Sequence, residues 1–286
     1  MPVIVDGGLS TALTEKGYDL THPLWTARLL SENPEAIVAA HRAFLNAGAE
    51  VLITSSYQAS VDGFVRNGAT TDEARTLLQT TTSLARQAVG DRSAVVVAAS
   101  VGPYGALLAD GSEYRGDYAL SNGELVVFHR DRVRLLAETE PDWWSCETIP
   151  TAAEAVAMGL ALSAVRRRPT WMSFTCRSGS HTFGGDRIED AVVAALSACD
   201  LSAVGVNCTA PSHVPELLER IRRVTDLPLV AYPNSGQSWD ADNKAWLGDP
   251  GATDVTAWIA AGAEYVGGCC GVGPAQLARL AVVARS

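Results

Sequence analysis

Three cysteines on two separate segments are the residues of this sequence best suited to bind a metal. Cys208 lies in the segment AVGVNCT, and Cys269 and Cys270 lie in the later segment EYVGGCC. Thiolates are soft ligands that favour zinc, and three protein ligands leave a fourth position open, as in catalytic zinc sites. Because the spacing lacks a compact CxxC signature, two alternatives remain: a disulfide between the adjacent cysteines, or small core residues.

Glycines surround the adjacent cysteines and bear on whether both can reach one ion. Consecutive residues of a regular strand point to opposite faces, so the backbone must bend here, which glycine permits. The same loop is also suited to cradle a phosphate, as the last loops of many barrels do. Because phosphate binding needs no thiol, we rank it second to metal binding. The flanking glycines are Gly267, Gly268, Gly271 and Gly273.

The cysteines end predicted strands in a regular alternation of strands and helices. Eight short apolar runs alternate with segments of helical period, without a linker or a break in composition. This pattern predicts one α/β domain over residues 1–286, a single (β/α)8 TIM barrel, with a doubly wound open sheet as the alternative. The predicted strands are 3–8, 50–56, 94–102, 143–148, 171–176, 203–209, 229–235 and 264–270. The longest segments predicted to be irregular, each after a strand, are 9–33, 102–123, 177–187 and 234–250.

A barrel places functional side chains at the C-terminal ends of its strands, where they surround one mouth. Polar and reactive residues of this sequence fall at those ends, so we expect them to converge. They are Asp6, Thr54, Glu147, Cys176, Asn207, Cys208, Asn234, Cys269 and Cys270.

Other chemistries find little support among the remaining residues. A Schiff-base aldolase needs a buried lysine, but the two lysines, Lys16 and Lys244, lie outside the predicted strands. Two histidines within helical segments, His41 and His129, are predicted to be ordinary helix-surface residues. The other three cysteines are predicted to be structural, and Cys176 alone among them is close enough to a strand end to reach the mouth.

The composition limits the class of partner. The 286 residues are 47% hydrophobic and 19% charged, which is typical of a compact globular protein, and the formal net charge is −10. An acidic excess argues against nucleic acid or an anionic membrane, since both attract a basic face. No apolar run is long enough to cross a membrane. The N-terminus lacks signal-peptide features and the cysteines are sparse, so we expect a cytoplasmic monomer or small homo-oligomer acting on small molecules.

Eight motifs, in this order, resemble the homocysteine S-methyltransferase family over nearly the whole chain. The sequence is most similar to the short members, which use S-methylmethionine or S-adenosylmethionine as methyl donor. The pair GVNC and GGCCG within a barrel is the specific part of the resemblance. The motifs are DGGLSTALTEKG, PLWTARLL, SSYQAS, SVGPYG, CETIP, GVNC, YPNSG and GGCCG.

The resemblance implies a barrel enzyme that converts L-homocysteine to methionine with a zinc ion (Zn²⁺) held by the three cysteines. The homocysteine sulfur is then a further zinc ligand, and a sulfonium compound supplies the methyl group. The positions implied for the zinc are Cys208, Cys269 and Cys270. The positions implied for the substrate are Asp6, Gly7, Trp25, Thr26, Glu147 and Asn207.

The donor side of the pocket is less well defined. Where family members often have an acidic residue after YPNSG, this chain has Gln237. Trp25, Tyr57 and Tyr104 follow strand ends and are predicted to face the donor cation, with ordinary aromatic packing as the alternative. The chain ends soon after the eighth helix, so the donor is expected to be a small free molecule. Two other functions remain open: a methyltransferase acting on selenocysteine or another small thiol, and a barrel that binds zinc or thiols without turnover.

Overall fold

Eight parallel strands close into a barrel, which confirms the predicted fold. The computed structural model of the chain describes residues 1–240, 245–247 and 254–286. In chain order the strands are β1 (Val3–Ile4), β2 (Val51–Ile53), β3 (Val96–Val101), β4 (Trp143–Ile149), β5 (Thr170–Phe174), β6 (Ala203–Asn207), β7 (Leu229–Tyr232), β8 (Ser238–Asp240), β9 (Ala245–Leu247) and β10 (Ala263–Val266). The barrel order is β1-β10-β7-β6-β5-β4-β3-β2, and a parallel bridge between Val5 and Val51 joins its two ends.

Helices surround this barrel, most of them between successive strands. Side-chain caps start several of them: Asn33 caps α3, and Thr70 and Ser121 form capping boxes with Glu73 and Glu124. No helix within the described ranges is both long and apolar enough to span a membrane. The helices are α1 (Leu9–Thr14), α2 (Leu29–Glu32), α3 (Pro34–Asn46), α4 (Val61–Arg66), α5 (Thr71–Val89), α6 (Tyr104–Leu108), α7 (Asn122–Ala137), α8 (Ala152–Leu162), α9 (Ile188–Ala198), α10 (Val214–Arg222), α11 (Val255–Ala260) and α12 (Pro274–Ala284).

Three of the segments predicted to be irregular contain short elements. The segment 9–33 holds α1, a 3₁₀ helix at Trp25–Arg28 and α2, and the segment 102–123 holds α6 and a 3₁₀ helix at Ser112–Tyr114. The antiparallel pair β8 and β9 lies within 234–250. Elements of three to six residues are too short for their periodicity to show in a sequence. Residues 241–244, which include Lys244, and residues 248–250 of that last segment lie outside the described residues.

Large aromatic side chains fill the interior of the barrel. The ring centroid of Trp171 lies 5.9 Å from that of Trp143, 6.3 Å from that of Tyr265 and 6.3 Å from that of Tyr232. The indole Nε1 of Trp171 donates to the hydroxyl oxygen of Tyr232 at 3.1 Å. This packing leaves the barrel solid and puts the chemistry at the mouth, where the strands end.

The prediction that two histidines lie on helix surfaces was wrong. His41 is fully buried on α3, four residues after Ile37 and three before Phe44, which are also buried. Residues three or four apart share one face of a helix. On α7, His129 follows the buried Leu125 by four residues and is itself fully buried. The apolar spacing of each helix therefore fixes the position of its histidine.

The buried imidazole of His41 predicts a pH-dependent loss of stability. Burial lowers its pKa from 6.5 to about 4, and neither ring nitrogen has a hydrogen-bond partner in the described part of the chain. As the pH falls below 6.5, the unfolded chain gains a proton that the folded chain does not. The folded state should therefore lose about 2 kcal/mol of stability through this group between pH 7 and pH 5. Urea unfolding at both pH values should show that His41→Leu gains stability relative to wild type, and gains more at pH 5. A stability difference between the two proteins that does not change with pH would contradict the lowered pKa of His41.

Candidate metal centre

The sulfur atoms of three cysteines converge at the mouth of the barrel. Cys208 directly follows β6, while Cys269 and Cys270 lie in the loop after β10. The three sulfur atoms lie within 4.8 Å of one another, and those of Cys208 and Cys270 are 3.7 Å apart. A disulfide needs about 2.05 Å, and all three cysteines are free thiols. The two segments therefore supply one cluster of three thiols.

The backbone around the adjacent cysteines leaves the strand before it reaches them, so their side chains need not alternate. The amide of Cys269 donates to the carbonyl of Pro233 at 2.8 Å, and the carbonyl of Cys270 accepts from the amide of Ser235 at 2.9 Å. Gly271 then takes a φ of +79°, which turns the chain away. Cys208 itself has a φ of +46°, an uncommon conformation for a residue with a Cβ.

The three thiols do not share their charge equally. Hydrogen bonds with Cys269 and then Cys270 hold the pKa of Cys208 well below its usual range, while the same contacts raise the pKa of Cys269 and of Cys270. The hydroxyl of Tyr114 lies 3.3 Å from the Cys208 sulfur. The negative charge of Cys208 raises the pKa of Tyr114, so the phenol keeps its proton and donates it. The cluster therefore favours negative charge at Cys208, which a cation would stabilise.

Asn207 holds the cluster in place through its amide side chain. Its Nδ2 donates to the Thr148 hydroxyl at 2.8 Å and lies 3.9 Å from the sulfur of Cys269. Its Oδ1 accepts from the amide of Thr148 at 2.7 Å and from the hydroxyl of Ser173 at 2.8 Å. Both the oxygen and the nitrogen of the Asn207 amide are therefore bonded to protein groups. Through these bonds Asn207 orients Cys269 and the end of β4, which carries Glu147.

Two buried carboxyl groups, those of Asp6 and Glu147, lie near this cluster. Asp6 accepts from the amide of Ile53 at 2.9 Å, and burial, with a contribution from the charge of Glu147, raises its pKa well above the usual value. Burial also raises the pKa of Glu147 to about 7, although the hydroxyls of Ser100 and Tyr232 donate to it. Within the described ranges neither carboxyl forms an ion pair, so a bound cationic group would meet two acidic side chains whose protein partners are neutral.

Gly7 lets the end of β1 pass close to the last loop. A Cβ atom built on Gly7 would lie 2.6 Å from the ring of Phe44 and 2.6 Å from the carbonyl oxygen of Val272. Any larger residue would have to push these groups apart. Gly7 therefore keeps Asp6 beside the loop of the adjacent cysteines.

Trp25 and Thr26 approach the same mouth on the 3₁₀ helix Trp25–Arg28. Trp25 has a φ of +46°, and its ring packs edge-on against Tyr57 with centroids 6.3 Å apart. Thr26 is buried. The side-chain amide of Gln58 donates to the carbonyl of Pro23 at 2.7 Å, which ties this loop to the one that carries Tyr57.

Tyr104, predicted to face the donor, packs instead within the loop framework. Its ring centroid lies 5.3 Å from that of Tyr118 and 5.0 Å from that of Phe128. Glu154 accepts from the backbone amide of Tyr104 at 2.6 Å, from the hydroxyl of Tyr118 at 2.8 Å and from the buried ring of His129 at 3.1 Å. This buried group anchors the loop after β3 to helices α7 and α8.

Arg132, a buried residue of α7, anchors two loops at once. Its guanidinium donates to the carbonyl of Gly102 at 2.9 Å and to the carbonyls of Ser56 and Tyr57. Burial lowers the pKa of Arg132 to about 10, which leaves it charged at neutral pH. The N–H groups of Arg132 bond to backbone carbonyls, and this fixes Tyr57 at the mouth. Among the described residues, Arg132 forms no ion pair with a carboxyl group of the site.

The sequence analysis missed two residues of this site, Glu113 and Tyr114. Both lie on the 3₁₀ helix Ser112–Tyr114, and burial raises the pKa of Glu113 to about 7. The signal that marks them is the turn before them: Asp110 accepts from the amide of Ser112 at 2.9 Å, which is typical of an Asx turn. An acidic and an aromatic residue directly after such a turn, in a loop that follows a strand end, are candidates for a site.

Comparison with known proteins agrees with the resemblance seen in the sequence. The sequence profile described as homocysteine S-methyltransferase matches residues 3–284. Homocysteine S-methyltransferase YbgG of Bacillus subtilis (strain 168) is 38% identical over 298 residues, which cover 99% of this chain and 95% of that protein. A selenocysteine Se-methyltransferase of Brassica oleracea var. italica is 36% identical over 302 residues, covering 96% and 86%.

A solved structure agrees with the fold as well. The crystal structure of the homocysteine methyltransferase MmuM from Escherichia coli, in its metallated form, has a TM-score of 0.87 and 38% identity to this chain. The match covers 100% of this chain and 96% of that one. The chain belongs to the homocysteine S-methyltransferase family and is a methyltransferase.

Proposed function

We propose that this enzyme transfers a methyl group from a sulfonium donor, S-methylmethionine or S-adenosylmethionine, to the sulfur of L-homocysteine and forms methionine. The observation that carries the proposal is the convergence of three thiols beside two buried carboxyl groups that form no ion pair with any described residue. We assign homocysteine as the acceptor from the family, because a relative of nearly the same length is named for it.

We propose Zn²⁺ as the metal of the cysteine cluster. Zinc prefers a tetrahedron of soft ligands at about 2.3 Å, which puts sulfur atoms roughly 3.8 Å apart. The spacings of 3.7 Å between two of the sulfurs and at most 4.8 Å overall are compatible with such a ligand set. Bound there, the ion would deprotonate a substrate thiol and hold it as a thiolate at neutral pH. The metallated form of MmuM supports a metal in this family.

Residues of the chain then bind and orient the acceptor. We assign Asp6 and Glu147 to the ammonium group of homocysteine, because each is a buried acidic group without a cationic partner. Thr26 and the backbone at Gly7 border the amino acid, and Trp25 lies beside the reacting sulfur. Asn207, whose amide is engaged by protein groups, contributes by orienting Cys269.

The transfer itself requires no general base from the chain. The acceptor sulfur forms a bond to the methyl carbon while the bond between that carbon and the donor sulfur breaks. The bonding electron pair stays on the donor sulfur, which changes from a sulfonium to a neutral thioether. Because charge is neutralised in this step, exclusion of water by the aromatic groups at the mouth favours it.

The phosphate-binding alternative fits the last loop poorly. A Cβ atom built on Gly273, the N-cap of α12, would lie 2.3 Å from a carboxylate oxygen of Glu15. An acidic group at this position would repel a phosphate. The glycine-rich loop instead positions the adjacent cysteines.

Selenocysteine is the second candidate acceptor. The observation that favours it is the relative named selenocysteine Se-methyltransferase, at 36% identity. Competition between homocysteine and selenocysteine for one donor would rank the two, with a higher kcat/KM for homocysteine as the expected result.

We further propose that residues 1–286 act as one homocysteine-binding barrel in the cytoplasm. A reducing compartment would keep the three free cysteines available for metal.

A donor panel tests the proposed reaction directly. Zinc-loaded enzyme and homocysteine are expected to form methionine with S-methylmethionine or S-adenosylmethionine, and methionine is measured by chromatography. Zinc-loaded protein that forms no methionine with any sulfonium or betaine donor would favour a barrel that binds without turnover.

Loss of one ligand should remove metal and activity together. Cys208→Ser is expected to lower bound zinc well below one per chain and to reduce kcat/KM at least about 100-fold, since substrate thiol activation is lost. Metal analysis and methionine formation are measured on the same samples. Cys199→Ser is the matched control, because this half-buried cysteine lies at the end of α9, outside the cluster. Full activity of metal-free wild-type enzyme would overturn the assignment.

Glu147 should act on the acceptor and leave the donor unaffected. Glu147→Gln is expected to raise the KM for homocysteine about tenfold or more, because a neutral amide replaces a charged partner of the ammonium. The KM for the donor should stay within about twofold. An unchanged KM for homocysteine would remove Glu147 from the acceptor site.

A further inference from the structure

We propose that the carboxylate of Glu113 binds the sulfonium cation of the methyl donor, with the rings of Tyr57 and Tyr114 beside it. This inference rests on the proposed function and adds the subsite for the donor, whose own recognition the acceptor residues leave open.

The backbone of Glu113 is fixed close to the cysteine cluster. The neighbouring Tyr114 hydroxyl lies 3.3 Å from the sulfur of Cys208. On the other side, a Cβ atom built on Gly105 would lie 2.2 Å from the backbone nitrogen of Glu113. The 3₁₀ helix of Glu113 and Tyr114 is therefore packed directly onto α6, and from it Tyr114 reaches the cysteine cluster.

The carboxylate of Glu113 forms no ion pair with any residue that the structure describes. Its Oε2 atom is buried and has no hydrogen-bond partner among the residues that the structure describes. Burial, then the charges of Cys208 and Asp110, raise the pKa of Glu113, while Arg115 lowers it only as a lesser influence. Arg115 is itself paired with Asp117 at 3.1 Å. Such a buried acidic oxygen gains most from a bound cation.

Aromatic rings complete a surface suited to a cation. Burial, and then the charges of Glu113 and Cys208, raise the pKa of Tyr57 well above its usual value. Tyr57 packs against Trp25, and Tyr114 packs against Phe183 with centroids 5.6 Å apart. A cation gains about 0.5–2 kcal/mol at the face of an aromatic ring.

The position favours the donor over the acceptor as the source of that cation. The acceptor ammonium is assigned to Asp6 and Glu147, on the ends of β1 and β4, whereas Glu113 lies in the loop after β3 together with Tyr114. The donor has to bring its methyl carbon to the acceptor sulfur at the cysteine cluster, and Tyr114 contacts that cluster through Cys208.

The change of charge during the reaction predicts which kinetic constant depends on Glu113. The sulfonium loses its positive charge as the methyl group moves, so Glu113 attracts the bound donor more strongly than the transition state or the thioether product. Removal of the carboxylate should therefore raise the KM for the donor without lowering kcat.

The test is Glu113→Gln in the zinc-loaded full chain, with S-methylmethionine as donor. We expect the KM for S-methylmethionine to rise about 10- to 100-fold, a range that corresponds to about 1.4–2.8 kcal/mol. The KM for homocysteine should stay within about twofold, which also reports that the variant is folded. Asp131→Asn is the control: it removes one negative charge at an exposed side chain of α7, and should leave both constants unchanged.

A second measurement separates the sulfonium from the amino-acid part of the donor. Inhibition by the trimethylsulfonium ion, which has the charge alone, should weaken in Glu113→Gln by a factor similar to the rise in KM. Inhibition by methionine, which lacks the sulfonium charge, should change little. Loss of both inhibitions by the same factor would indicate a general disturbance of the site and overturn the proposal.

The remaining outcomes distinguish this inference from the function on which it rests. Wild-type enzyme that uses S-methylmethionine, with an unchanged donor KM in Glu113→Gln, would overturn the donor subsite and leave the proposed function standing. Wild-type enzyme that uses no sulfonium donor would overturn both.

Discussion

The whole site depends on the close approach of three sulfur atoms that cannot all be ionised without a cation. The three sulfur atoms lie within 4.8 Å of one another, and their mutual hydrogen bonds hold the pKa of Cys208 below its usual range and raise the pKa of Cys269 and of Cys270. Like charges at such distances repel strongly in a buried site. A dication would remove this repulsion, and contacts between the surrounding loops keep the sulfur atoms close together.

Backbone contacts around the cysteine cluster join loops that are far apart in sequence. The loop of the adjacent cysteines is bonded to the end of β7 through Pro233 and Ser235, and packs against Gly7 after β1. Asn207 links the cluster to the end of β4. The barrel brings these strand ends to one mouth, and the contacts between the loops hold the sulfur atoms in register.

The sequence predicted the barrel and the convergence of the cysteines, because both follow from alternation and from the polarity of parallel strands. It misjudged residues whose environment depends on tertiary packing. Tyr104 has the same sequence context as the other mouth aromatics, yet a buried Glu154 fixes its amide and its ring packs into the loop. Glu113 and Tyr114 belong to a helix of three residues that has no detectable period. Their roles come from contact with Gly105 and Cys208, which only the folded chain creates.

The buried arginine beside the site shows why the mouth stays acidic. Arg132 is close enough to lower the pKa of Glu147 to a small extent, but burial outweighs it and the pKa still rises to about 7. The guanidinium of Arg132 donates to three backbone carbonyls on the loops after β2 and β3 and so holds these loops together. Arg132 thus has a structural role, and among the described residues Asp6 and Glu147 form no ion pair with it. In the proposed reaction, a substrate pair with an ammonium and a sulfonium supplies positive charge at the mouth, and the methyl transfer removes one of the two charges.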